Sequence, residues 1–236
     1  MSRRGSTKSG DNIVGELISL AERRAARQHG CEPRHRKPGT PRRATFYFDL
    51  SSPFTYLAAE RVERLFPGLR WHPVSAEAVY GASEWSDPRM RAAIEQAAEE
   101  RARALRMPLV WPERLPSDMR AAMRVAVHAA NRGRGAAFAL AASRLAFCGG
   151  FDLSDPDVLA EAVVAANLGL PECLEAACDA SIDAELEATA LRLRTAGATA
   201  LPAVRVGRAL FCGEARVPDA AAAARAPDFA RLPYAG

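Results

Sequence analysis

Phe46-Tyr47-Phe48-Asp49-Leu50-Ser51-Ser52-Pro53-Phe54-Thr55-Tyr56-Leu57 reads as a strand that runs directly into a helix. Residues 44–49 are rich in aromatic and β-forming types. Ser51 and Ser52 can each cap a helix, and Pro53 suits a first helical turn, where its missing N–H costs nothing. Beyond it, Leu57, Val62 and Leu65 fall on one side, while Glu60, Arg61, Glu63 and Arg64 make a polar face. In an α/β domain such a junction points free backbone N–H groups and the positive end of a helix dipole at whatever binds there, so Ser52 sits where an anion is favoured. Taken locally, the two serines serve equally well as plain helix caps.

A chain of 236 residues, 49% of them hydrophobic, buries one sizeable core, or one core with a helical subdomain inserted in it. The five cysteines, Cys31, Cys148, Cys173, Cys178 and Cys212, contain no C-x-x-C pair. Their odd count and irregular spacing argue against a disulfide framework and against a zinc site, so reduced thiols in a cytoplasmic protein are expected, with no metal. His72 has no Cys, His or carboxylate at metal spacing and reads as a packed or solvated histidine.

The net charge of +4 is unevenly placed. Residues 1–43 hold eleven Lys or Arg against four Asp or Glu, about +7, so the remainder sums to about −3 and contains no lysine. This segment reads as a basic, flexible extension with one amphipathic helix at about 12–28, whose stripe of Ile13, Val14, Leu17, Leu20 and Ala21 adjoins Arg23, Arg24 and Arg27. Nucleic acid is an expected partner only through this arm. No long apolar run precedes a small-residue cleavage site, and no window approaches the roughly 18 apolar residues of a membrane span.

After the opening strand and helix, Leu69 to Val74 reads as a second strand, with Pro73 placing its end at an edge. Residues 87–196 then read as consecutive helices: Pro88 to about Arg106, Ser117 to about Asn131, Gly135 to Cys148, one capped by Ser154-Asp155-Pro156-Asp157, a short one opened by Pro171, and Ile182 to Thr195. Strands return at Ala203–Val206 and Ala209–Cys212 around Gly207-Arg208, a two-residue connection suited to a tight hairpin. A last helix covers Val217 to about Arg225. The expected organisation is a domain of residues 44–86 and 197–225, an inserted helical subdomain 87–196, and a tail 226–236. Leu201-Pro202 precedes the hairpin, and single-sequence statistics favour an ordinary trans bond there.

A strand, Ser-Pro-x-x at a helix start, a long helical insertion, then x-Pro before a hairpin and a closing helix resembles the thioredoxin fold of the DsbA type. Within it the chain resembles the kappa-class glutathione transferases and 2-hydroxychromene-2-carboxylate isomerases. The resemblance rests on Phe46–Leu57, where Ser52-Pro53-Phe54-Thr55 stands in place of a redox Cys-x-x-Cys, and on Leu201-Pro202 through Gly213. Met107–Arg124 and Asp152–Leu159 support it. The fold class it implies is α/β, a thioredoxin fold with a large all-helical insertion.

The resemblance further implies glutathione as cofactor, with Ser52 donating a hydrogen bond that favours the thiolate. It puts Pro202 at a cis-proline position, Leu201 beside the cysteinyl backbone of glutathione, and Pro53 and Phe54 around it. The implied activity is glutathione-dependent isomerisation or transfer on a small aromatic carboxylate, in a protein whose relatives form homodimers. The acidic residue that usually holds the γ-glutamyl amine is replaced by Ala215, with Glu214 one residue early, and the usual Gly-Asn and lysine after the second strand are missing from Gly81–Met90. Glu214 is therefore the candidate for the amine and Arg89 or Arg91 for the substrate carboxylate, with Arg120 and Arg124 as further permanent cations. Two other functions are weighed against this: a non-catalytic thioredoxin-fold binding module with a basic arm, and a thiol–disulfide oxidoreductase, for which Ser52 and Thr55 supply no thiol.

Overall fold

The structure is a computed structural model that describes residues 44–81, 85–112, 114–115 and 117–226. The helix expected at about 12–28 and residues 227–236 of the tail lie outside the described residues. The described residues belong to one compact unit, in which the strands and the inserted helices share a core.

The sheet has four strands, β1 (Ala44–Phe48), β2 (Arg70–Pro73), β3 (Ala203–Val206) and β4 (Ala209–Cys212), in the order β2-β1-β3-β4. β1 runs parallel to β2 through the crossover helix α1 (Pro53–Leu65), and antiparallel to β3. β3 and β4 form the expected hairpin, with Gly207 at φ 60° supplying the positive φ that a tight two-residue loop demands. β2 is an edge strand, consistent with Pro73 at its end. The helices between β2 and β3 are α2 (Ala76–Tyr80), α3 (Pro88–Leu105), α4 (Arg120–Asn131), α5 (Gly135–Phe147), α6 (Pro156–Ala165), α7 (Leu170–Cys178) and α8 (Ile182–Thr195), and α9 (Val217–Arg225) closes the domain. Together these elements are the thioredoxin fold with a helical insertion that the sequence led us to expect.

Alternation along β1 divides the core. Phe46 and Phe48 are fully buried and meet Trp71 of β2 edge-on, and Val204 and Val206 extend the same large cluster. Tyr47 and Ala203 belong instead to a second cluster with Val74, Val79, Leu193 and Leu201. His72 is exposed on the outer side of β2, where its ring stacks on Tyr47. The short helix α2 escapes the sequence reading because five residues carry no helical period; Ser75 caps it by accepting the Ala78 N–H at 3.2 Å.

Candidate active site

β1 and β3 are antiparallel neighbours with Tyr47 opposite Ala203, and Ala203 is in turn opposite Cys212 of β4. The end of β1, the start of β3 and the end of β4 therefore lie side by side. Ser52 and α1 follow the first, Leu201 and Pro202 precede the second, and Gly213–Ala215 follow the third. These segments surround one cavity of about 350 Å³, whose remaining wall is Ile94, Ala97 and Arg101 of α3 with Tyr80 and Trp85.

Ser52, Pro53, Phe54, Leu201, Glu214 and Ala215 all line this cavity, and Pro202 is buried directly behind Leu201. The Leu201–Pro202 bond is cis, as the resemblance implies and against the single-sequence expectation. Arg89 and Arg91 do not line it. They stand in the first turn of α3, where Arg89 is exposed and Arg91 Nε donates to Glu95 at 2.8 Å. Arg120 borders a second cavity of about 380 Å³ and pairs with Asp118, and Arg124 pairs with Asp183.

Ser52 is the N-cap residue of α1 by backbone conformation, yet its side chain makes no capping bond. It is 7% exposed and faces the cavity from the positive end of the helix. Ser51 is held differently: its hydroxyl and its N–H both donate to Asp49 Oδ1, at 2.7 and 2.8 Å. Asp49 Oδ2 accepts the Ala76 N–H at 2.7 Å, so one carboxyl ties the strand-to-helix turn to α2. Burial pushes the Asp49 carboxyl above the usual range, although these donors pull the other way. Tyr56, in the same motif, donates to the Pro108 carbonyl at 2.8 Å, and burial pushes its phenol up to about 12, so it is an anchor that stays neutral.

Two backbone and side-chain groups in the cavity already have partners. The Leu201 N–H donates to the Tyr80 hydroxyl at 2.7 Å. Gly213, at φ 88° and ψ 152°, occupies a region open essentially to glycine alone and turns Glu214 inward. Glu214 is 4% exposed and takes both Arg61 of α1 and Arg101 of α3. Arg101 is bidentate, with Nε on Oε2 and Nη2 on Oε1 at 3.1 Å. Arg61 leaves the polar face expected of it because its long stem lets the guanidinium reach this buried carboxylate. Arg101 is not among the residues the sequence singles out; the signal for it is the spacing of Ile94, Ala97 and Arg101, which puts all three on one helix face.

The family model for the DSBA-like thioredoxin domain matches residues 44–224. The chain belongs to the DsbA-like thioredoxin family. No curated protein sequence matches it. Solved structures do: a 2-hydroxychromene-2-carboxylate isomerase at 17% identity and TM-score 0.64, covering 76% of this chain and 93% of that one. A probable DsbA oxidoreductase from Streptomyces coelicolor matches at 22% identity and TM-score 0.61, covering 78% and 88%. A putative protein disulfide isomerase from Nitrosomonas europaea matches at 15% and 0.58, covering 75% and 96%. At these identities the similarity is one of fold. The start of α1 reads Ser52-Pro53-Phe54-Thr55, with no cysteine, and Thr55 is fully buried. Among the described residues, no group of His, Cys, Asp or Glu could hold a metal, and no helix is long and apolar enough to cross a membrane.

Proposed function

We propose that this DsbA-like protein is a glutathione-dependent isomerase or transferase acting on a small aromatic carboxylate. The observation that carries the reading is the placement of Ser52, at the start of α1, and Leu201, before cis Pro202, on one cavity. The cavity is within the size range of small-ligand sites, and its donors suit a peptide-like thiol. When bound, glutathione supplies a thiolate that adds reversibly to a conjugated carbon and is regained as the double bond re-forms, so the net change is isomerisation.

The chain's own part is to hold that sulfur and its backbone. The Ser52 hydroxyl donates to the sulfur, and the N-terminal end of α1 adds positive potential; both favour the thiolate over the thiol. Leu201 places its backbone on the cavity beside Ser52, and Phe54 and Ile94 give the cavity apolar walls. Ser52 acts as a hydrogen-bond donor and not as an acylated nucleophile, since among the described residues no His-carboxylate pair accompanies it in the cavity.

Calorimetric titration of glutathione into the wild type and Ser52→Ala tests this. Binding to the wild type, with a raised thiol pKa of bound glutathione in Ser52→Ala, is expected; no heat with either protein at millimolar glutathione overturns the reading. One observation favours the non-catalytic binding module instead: the Leu201 N–H is already taken by Tyr80.

A further inference from the structure

Among the described residues, the ion cluster at the wall of the Ser52 cavity, with Arg101 on the lining and Arg61 behind it sharing Glu214, has one positive charge in excess. Glu214 brings one negative charge to two guanidinium groups, and no other carboxylate lines the cavity among the described residues. Arg61 and Arg101 are kept close by the carboxylate they share, and the Arg61 pKa is held down first by burial and then by repulsion from Arg101 and Arg64. The two arginines differ in access. Arg61 lies behind the cavity wall, with a side chain 15% exposed, whereas Arg101 is 33% exposed and lines the cavity itself. Arg101 turns Nε and Nη2 to Glu214, and Nη1 has no protein partner among the described residues. A guanidinium has five N–H donors, so the fork that orients Arg101 leaves donors over for a ligand.

We infer that Arg101 is the anion-binding residue of this cavity, receiving a carboxylate of the ligand on the guanidinium edge that Glu214 leaves free. Glu214 then acts as a positioning residue: it fixes the plane of Arg101 and does not itself hold an amine. An incoming carboxylate brings the charge of this cluster from an excess of one positive to balance, and it meets a cation that Glu214 already orients. The inference rests on the proposed ligand cavity but does not require the ligand to be glutathione. The carboxylate is either one of glutathione's own or that of the aromatic substrate.

The test is a calorimetric titration of full-length wild type, Arg101→Gln and Arg101→Lys with three probes: glutathione, benzoate and neutral benzamide. Benzoate or glutathione is expected to bind the wild type and to lose roughly tenfold or more in affinity in Arg101→Gln, the worth of one charge-assisted hydrogen bond, with Arg101→Lys in between. Competition between benzoate and glutathione assigns the subsite to glutathione's own carboxylate, and simultaneous binding assigns it to the aromatic substrate. Should Arg101→Gln not fold, the wild type alone decides: benzoate must bind more tightly than benzamide and weaken with added salt. Equal affinity of wild type and Arg101→Gln for both anions, equal binding of benzoate and benzamide, or binding of neither anion overturns the inference. Arg101-dependent benzoate binding without any glutathione binding overturns only the glutathione reading.

Discussion

Arg101 and Glu214 are joined in a two-pronged ion pair although 113 residues separate them in sequence. The pair fastens α3, the first long helix of the insertion, to the turn after β4. With Arg61 as its third member it also reaches α1, so the three walls around Ser52 are linked through one buried carboxylate.

Replacing that carboxylate is expected to be costly. Glu214→Gln keeps the shape but leaves Arg61 and Arg101 facing each other without a counter-charge. A loss of about 2 kcal/mol is expected, below the range for fully buried pairs because Arg101 is partly solvated. Urea denaturation of the purified variant measures it, and a change within about 0.5 kcal/mol would show the network to be stabilising nothing.

Tyr80→Phe should release the Leu201 N–H. If a peptide-like ligand pairs with Leu201, it competes with the Tyr80 hydroxyl, and removing that hydroxyl is expected to tighten glutathione binding about fivefold. Calorimetry on the variant decides: unchanged or weaker binding means that the ligand does not use this donor and strengthens the case for a binding module that is not catalytic.

Arg124 joins α4 to two other helices, donating to both oxygens of Asp183 at 2.7 and 2.6 Å and to the Ala177 carbonyl at 3.0 Å. Its hydrogen bonds hold the Asp183 carboxyl below the usual range. A carboxyl whose folded pKa is depressed contributes stability that is present above its ordinary value of 3.8 and lost as pH falls through the folded value. Asp49, raised by burial, titrates with the opposite sign, so the informative quantity is the difference between two proteins. Arg124→Gln is expected to lower stability by about 1–2 kcal/mol at neutral pH, and the gap to wild type should narrow as pH falls below about 4. Thermal melts across that range check it; a gap independent of pH would mean that Asp183 is not the group responsible.

Most secondary structure was legible because its signals are local. Asp87-Pro88 and Asp155-Pro156 mark helix starts, and the side chains of Asp87 and Asp155 do accept the capping N–H groups. Gly207 marks the hairpin. Ser52 and Leu201 were legible as a pair only through the family resemblance, since nothing in their own neighbourhoods links them. Ser51 and Ser52 looked alike in sequence, and the structure separates them: Ser51 is spent on Asp49, while Ser52 is left to the cavity. Arg89 and Arg91 lie near the expected substrate segment in sequence, but helical geometry turns Arg101, further along α3, to the cavity instead.

The sequence by itself determined the strands, the long helices, the hairpin and the absence of a dithiol at Ser52-Pro53-Phe54-Thr55, because propensity, capping and residue identity act within a few positions of the chain. Only the tertiary structure decided that Glu214 faces two arginines, that Tyr80 occupies the Leu201 N–H, and that Arg101 lines the Ser52 cavity. The reason is the sheet order: antiparallel pairing of β1 with β3 and of β3 with β4 brings three distant segments to one end, where the buried Glu214 meets Arg61 and Arg101.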